Sequence, residues 1–183
     1  MSSISPSDTQ RLFFALWPHD DMRQQLAAVV KAGERWGGRA VATENLHMTL
    51  VFLGSITQAQ RAFLEQQAER LTLSSFTLWL DHLGHWPKPQ VLWLGVPEVP
   101  RPLLDLVEAL NRAVADCGLR PDDRPYAPHL TLRRKVAKGP RNESIAPLEW
   151  SVHDFALVES NTLSSGVEYR VLRTWPLQQA SGA

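Results

Sequence analysis

The sequence contains few cysteines, no long apolar run and no excess of charge of either sign. Its one cysteine, Cys117, cannot form an internal disulfide, which predicts a reducing compartment. The amphipathic run around it predicts a small buried side chain near a helix end. No apolar stretch approaches the roughly 18–20 residues that cross a bilayer, and residues 1–10 lack the apolar core of a secretory signal. These absences predict a cytoplasmic protein that makes no membrane contact.

The charges balance, since 19 basic and 19 acidic side chains give a formal net charge of zero. Proteins that hold long nucleic acids by their phosphates are usually strongly basic. The balance argues against wide duplex binding and permits local recognition of one RNA end. One basic cluster is compatible with a phosphate contact or with a solvated strand end, and it consists of Arg133, Arg134, Lys135, Lys138 and Arg141.

The length of 183 residues suits one domain with a sizeable core. Apolar runs bounded by turn residues predict strands at residues 12–17, 46–53, 76–80, 91–96, 127–134, 150–158 and 169–175. Capping residues predict helices that begin near Asp20 and Thr57, and Pro102 suits the first turn of a third helix. The order of these segments predicts a mixed protein of strands and helices.

The two halves of the chain resemble each other. A strand, a helix and His-Met-Thr-Leu at residues 47–50 are followed by a strand, a helix and His-Leu-Thr-Leu at residues 129–132. The histidines are 82 positions apart, and the preceding strands are offset by nearly the same distance. Each half is too small to cover both faces of its sheet. The repeat therefore predicts two related lobes around a shared cleft, with matching strands near a pseudo-twofold axis.

Strand geometry places the polar residues of each motif together. Because side chains alternate along a strand, His47 and Thr49 share one face, and His129 and Thr131 do the same. Two imidazoles on opposite sides of a cleft suit in-line displacement at phosphorus, where one ring removes a proton and the other supplies one. The threonines and a nearby arginine would hold the non-bridging oxygens.

Two alternatives compete with this interpretation: a structural role for the histidines, and a zinc site. A single strand histidine is usually structural, so the argument depends on two copies at equivalent positions. Zinc is the other alternative, but neither motif has a second histidine two or four residues on, or an acidic residue on its face. We therefore predict no metal.

The remaining histidines are predicted to be structural or exposed. His82 and His85 flank Gly84 in a predicted turn, His19 precedes the first helix, and His153 lies on a predicted strand.

Several stretches around the motifs carry a family resemblance. They are Arg-Leu-Phe-Phe-Ala-Leu at residues 11–16, Glu-Asn-Leu-His-Met-Thr-Leu at 44–50, Phe-Leu-Gly at 52–54, Val-Leu-Trp-Leu-Gly at 91–95 and Arg-Pro-Tyr-Ala-Pro-His at 124–129. The chain resembles the 2H phosphoesterase superfamily from about Arg11 to Leu177. Within it, the likeness is to the bacterial and archaeal RNA 2′,3′-cyclic phosphodiesterases of the 2′-5′ RNA ligase family.

The resemblance implies an α+β fold of two antiparallel sheets that line a central cleft, with helices outside. One bilobal domain would span residues 11–177, between flexible ends at residues 1–10 and 178–183. The implied reaction converts a terminal 2′,3′-cyclic phosphate into a 2′-phosphomonoester without metal or cofactor, and reverse 2′-5′ ligation accompanies it in the family. The implied substrates are RNA ends that carry this phosphate, tRNA fragments among them. Because a bilobal chain forms its cleft internally, we expect a monomer.

The resemblance also assigns roles to individual residues. His47 matches the proton donor, His129 the proton acceptor, and Thr49, Thr131 and Arg134 the phosphate contacts. Strict alternation from the second histidine would instead aim Arg133 into the cleft. We therefore predict a break in the pleat after Leu132 that turns Arg134 inward.

One position departs from the family pattern. Gln90 stands where relatives carry a basic residue, which puts RNA contacts from this turn in doubt unless Lys88 compensates. Two other functions stay open at this point: hydrolysis of a small cyclic nucleotide, and RNA-end binding without catalysis.

Overall fold

The computed structural model describes residues 9–164 and 166–179. Within them the strands are β1 (Thr9–Leu16), β2 (Arg39–Ala40), β3 (Met48–Thr57), β4 (Phe76–Trp86), β5 (Val91–Gly95), β6 (His129–Arg134), β7 (Glu143–Val152), β8 (Asp154–Leu163) and β9 (Gly166–Pro176). The α-helices are α1 (Asp20–Ala32), α2 (Gln58–Glu69) and α3 (Arg101–Asp116). Short 3-10 helices cover Gly33–Trp36 and Thr43–Asn45.

Local sequence signals account for the helix starts. Thr57 caps α2 in a capping box, since its hydroxyl accepts the Gln60 N–H while the Gln60 side chain accepts the Thr57 N–H. α3 begins after Pro100 and carries Pro102 in its first turn, where a helix needs no N–H donor. The predicted starts of both helices are confirmed.

The strands form two antiparallel halves of four strands each, joined at one point. Their order across the sheet is β7-β4-β5-β6-β3-β1-β8-β9, and the short β2 pairs with β6. β3 and β6 meet through a single pair, Met48 and Leu130. On either side of this junction the two halves repeat the same arrangement of strands, so the predicted bilobal α+β fold is confirmed.

Each lobe contains a β-bulge directly after its motif threonine. The register between β1 and β3 skips Leu50, and the register between β5 and β6 skips Leu132. A bulge re-aims the side chains that follow it. A break in the pleat was predicted after Leu132, and the bulge lies at Leu132 itself. Its counterpart at Leu50 in the first lobe was not predicted.

The two faces of the sheet pack against different parts of the protein. In β1, Leu12, Phe14 and Leu16 belong to the main core, which also contains buried residues of all three helices. Phe13 and Ala15 point to the opposite face, where they pack with residues of β8 in a second, smaller cluster. The helices therefore cover one face and leave the other open to the cleft.

The predicted turn at His82 and His85 is wrong, because β4 continues to Trp86 and carries both histidines. Gly84 is required by packing: a Cβ there would lie 2.1 Å from Cζ2 of Trp93. The true turn follows at residues 87–90.

Two other strand boundaries were predicted wrongly. The predicted strand at residues 150–158 is two strands, β7 and β8, and His153 lies in the link between them. β3 runs through Gly54 to Thr57, since Gly54 adopts a left-handed φ of 72° within the strand and does not end it.

Three residues of the predicted flexible ends, 1–10 and 178–183, take part in β pairing. Thr9 and Gln10 belong to β1, and Gln178 forms an isolated bridge with Ser74. The remainder of the tails, residues 1–8 and 180–183, lies outside the described residues. Among the helices of the described chain, none is long and apolar enough to cross a membrane.

Candidate active site

The two motifs meet where the lobes join. His47 directly precedes β3, and His129 is the first residue of β6, so each histidine is next to the residue that makes the junction pair. A cleft of about 480 Å³ is lined by both histidines together with Thr49, Thr131 and Arg134. The structure thus brings together all five residues for which sequence analysis suggested roles.

Both imidazoles are held in the same way. Nδ1 of His47 lies 2.7 Å from the carbonyl oxygen of Asn45, and Nδ1 of His129 lies 2.7 Å from that of Ala127. Because a carbonyl oxygen only accepts, each Nδ1 carries the hydrogen. Each Nε2 is then the ring nitrogen left to contact a ligand, as an acceptor in the neutral ring and as a donor in the charged one.

Aromatic side chains surround the rings. Trp17 stacks on His47 at a centroid distance of 5.5 Å, and Tyr169 meets the same ring edge-on at 4.9 Å. Trp86 meets His129 edge-on at 4.5 Å. Sequence analysis missed these contacts, because the three aromatic residues come from distant segments and follow no motif.

Burial and neighbouring cations make both imidazoles harder to protonate. Burial lowers the pKa of His47 to about 4, with further lowering from the charges of Arg134, His129 and Arg23. Burial also lowers the pKa of His129, again with a contribution from Arg134. The carbonyl hydrogen bonds oppose these shifts but do not cancel them. Both rings are therefore neutral at pH 7 in the unliganded protein, and a bound anion would favour their protonation.

The two neighbouring arginines of β6 have separate environments. Arg133 is buried, and its guanidinium donates to the carbonyl oxygens of Gly37, Gly38 and Val30 at 2.7, 3.0 and 3.2 Å. Arg134 is exposed and lines the cleft. The bulge at Leu132 separates them: one arginine ties β6 to the segment after α1, and the other faces the histidines.

The cysteine and the other histidines lie outside the cleft that the two motif histidines line. Within the described residues, no three or more His, Cys, Asp or Glu side chains are arranged to hold a metal ion. Cys117 ends α3, half-buried, with its Sγ 3.7 Å from the carbonyl oxygen of Gln60. His19 contacts Asp154 at 3.0 Å, and His85 contacts the Val136 carbonyl at 2.8 Å. These contacts fit structural roles.

Comparison with known proteins places the chain in a family. The family model described as the 2′-5′ RNA ligase superfamily matches residues 15–162. The RNA 2′,3′-cyclic phosphodiesterase of Escherichia coli is 34% identical, over 94% of this chain and 99% of the relative. The protein of the same name from Archaeoglobus fulgidus is 30% identical, over 90% of this chain and 99% of the relative.

Solved structures support the same family. Crystal structures of E. coli LigT superpose with a TM-score of 0.84, both in the apo form at 33% identity and in complex with 3′-AMP at 34%. They cover 94% and 93% of this chain, respectively, and 99% of LigT. With the family model, the relatives and the fold in agreement, the chain belongs to the 2′-5′ RNA ligase superfamily.

Proposed function

We propose that the protein is an RNA 2′,3′-cyclic phosphodiesterase that opens a terminal 2′,3′-cyclic phosphate to a 2′-phosphomonoester. One observation carries the proposal: two histidines, one from each lobe, line a single cleft with Nε2 available to a ligand. Relatives that span nearly the whole chain and carry this name support the same substrate class.

In the proposed reaction, Nε2 of His129 removes a proton from a water that attacks phosphorus. The P–O3′ bond breaks on the opposite side, and Nε2 of His47 donates a proton to O3′. The product keeps its phosphate on O2′ and has a free 3′-hydroxyl. Each proton transfer of this kind is worth about 10²–10⁴-fold in rate.

The substrate itself contributes to the protonation of the acid. His47 is neutral in the free protein at pH 7, because its pKa is about 4. The cyclic phosphate is an anion, and its negative charge next to the ring favours the imidazolium. The same charge pairs with Arg134, which otherwise lowers the pKa of both histidines. Thr49 and Thr131, one in each lobe, would donate hydrogen bonds to the non-bridging oxygens.

Turnover of an oligonucleotide ending in a 2′,3′-cyclic phosphate tests the function. We expect a 2′-phosphate end, identified by comparison with authentic 2′- and 3′-phosphate standards, and the same rate with and without a chelator. The same oligonucleotide with an open 3′-phosphate is the control and is expected to remain unchanged. A 3′-phosphate product, or activity that a chelator removes, would contradict the proposal.

The pH dependence follows from the lowered pKa values. kcat/KM reports the free protein, where both histidines have a pKa below the usual 6.5. We therefore expect a bell whose two limbs lie below pH 6.5, with kcat/KM falling about tenfold per pH unit on the alkaline side. In kcat the alkaline limb is expected at higher pH, because the bound phosphate raises the pKa of the acid. An alkaline limb of kcat/KM at pH 7 or above would contradict the assignment.

The wider setting is proposed on the same basis. RNA ends with cyclic phosphates, tRNA fragments among them, are the proposed substrates, and the cytoplasm is the proposed compartment. Both lobes of one chain form the cleft, which supports a monomeric enzyme. 2′-5′ ligation follows when the 5′-hydroxyl of a second strand attacks phosphorus in place of water: the P–O5′ bond forms, the P–O3′ bond breaks, and O3′ takes a proton.

A further inference from the structure

A second cavity opens beside the catalytic cleft on the His47 side. Its volume is about 550 Å³, and it shares His47, Thr131 and Arg134 with the catalytic cleft. Its other walls come from β2, from the 3-10 turn that precedes His47 and from the start of β9. A ligand bound at the histidines could therefore continue into this space without a break.

Two arginines stand opposite each other at its wall. Arg39 of β2 pairs directly with Arg134 of β6 in an antiparallel register. Side chains at such positions share one face, with Cβ atoms about 4.5–5.5 Å apart, and like charges there are destabilising. The described lining of the cavity contains no Asp or Glu. In the described part of the chain, neither guanidinium forms an ion pair with a carboxylate.

The Arg39 side chain reaches across the cavity. Its Nη2 lies 3.9 Å from the position that a Cβ would take at Gly166, the first residue of β9. Arg134 lines both cavities, whereas Arg39 lines only the second one. Arg134 is thus shared with the reacting phosphate, and Arg39 is available to a different anionic group of the same ligand.

We propose that this second cavity binds the phosphodiester that joins the terminal nucleotide to the preceding one, with Arg39 as its cationic contact. The inference rests on the proposed function. With His47 next to O3′, the terminal ribose lies on the His47 side, and the phosphate on its 5′ side continues into the cavity. The geometry makes the protein selective for oligonucleotide ends over cyclic mononucleotides, which decides between two substrate classes that the sequence left open.

The test compares three substrates and two variants. The substrates are adenosine 2′,3′-cyclic phosphate, a dinucleotide with the same end, and that dinucleotide with an uncharged methylphosphonate linkage. Arg39→Gln is expected to lower kcat/KM for the normal dinucleotide about tenfold, as expected for loss of a charge-assisted hydrogen bond. It is expected to leave the mononucleotide and the methylphosphonate unchanged. Arg112→Gln, which removes a cation of an exposed ion pair on α3, is expected to change none of them.

Two further readouts separate binding from folding. Arg39→Gln is expected to have a Tm no lower than wild type, because it removes a like-charge pair. Arg39→Lys is expected to restore part of the dinucleotide preference, because it keeps the charge. A loss of kcat/KM that is equal for all three substrates, or no loss at all, would overturn the proposal.

Failure of the proposed function would be distinguishable. If the wild-type protein hydrolysed none of the three cyclic phosphate substrates, the proposed phosphodiesterase function would be wrong. Calorimetric binding of an uncleavable dinucleotide 2′-phosphate, with a normal or a methylphosphonate linkage, would then decide on Arg39. Equal affinity of wild type and Arg39→Gln for the normal dinucleotide would exclude the internal phosphate site.

Discussion

Replacing His47 or His129 by glutamine is expected to lower kcat for the cyclic phosphate oligonucleotide by about 10²–10⁴-fold. Glutamine keeps a polar side chain of similar length but cannot carry a proton to or from a reacting oxygen at neutral pH. Single-turnover rates at saturating enzyme would measure the chemical step directly. The double variant is expected to lose little more than either single one, because the two transfers act as a unit.

Stability measurements would distinguish this loss from unfolding. The pKa of His47 is about 4 in the folded protein and about 6.5 in an unfolded chain. As pH falls through this window, the unfolded state binds the proton first, so the wild type loses about 3 kcal/mol of stability. His47→Gln is expected not to lose that increment between pH 6.5 and 4.

His153→Gln is the matched control, since this histidine is exposed in the link between β7 and β8. We expect its turnover to equal that of wild type. If either motif variant kept turnover within tenfold of wild type, two-histidine catalysis would be excluded.

Replacing Arg134 by alanine is expected to lower kcat/KM about 10²–10³-fold, the range seen when one preorganised donor to developing charge is removed. Arg134 lines the cleft together with Arg11 and Arg124, and its charge lowers the pKa of both histidines. Arg134→Lys is expected to recover only part of the activity, because an ammonium lacks the planar fork that holds two phosphate oxygens. Steady-state kinetics on the oligonucleotide would measure both effects.

Arg133→Met is the opposing control for this prediction. It leaves the carbonyl oxygens of Val30, Gly37 and Gly38 without the guanidinium that now satisfies them. We expect the free energy of unfolding to fall by about 2–4 kcal/mol in denaturant titrations, whereas Arg134→Ala leaves it near the wild-type value. The opposite pattern, with Arg134 needed for stability and Arg133 for turnover, would contradict the separation of the two side chains by the bulge at Leu132.

Much of the site was predictable because its signals are local. Period-two alternation puts each motif histidine on the same face as its threonine, and the 82-residue repeat predicts that these faces meet. The conflict between alternation and the position of Arg134 was enough to predict a bulge, which the register of β5 and β6 contains. The start of α2 at Thr57 was likewise predicted from the local sequence, and the structure adds the capping box with Gln60.

The sequence by itself therefore identified the candidate catalytic side chains and predicted that two lobes present them. Only the tertiary structure decided what surrounds these side chains. It places Trp17, Tyr169 and Trp86 against the imidazole rings. It also buries the hydrogen bonds of Arg133 and sets Arg39 opposite Arg134. The physical reason is the distance along the chain over which each interaction acts. Alternation and capping act between neighbours in the chain, whereas a cross-strand pair such as Arg39 and Arg134, or the pKa of a buried imidazole, depends on groups brought together only when the lobes pack.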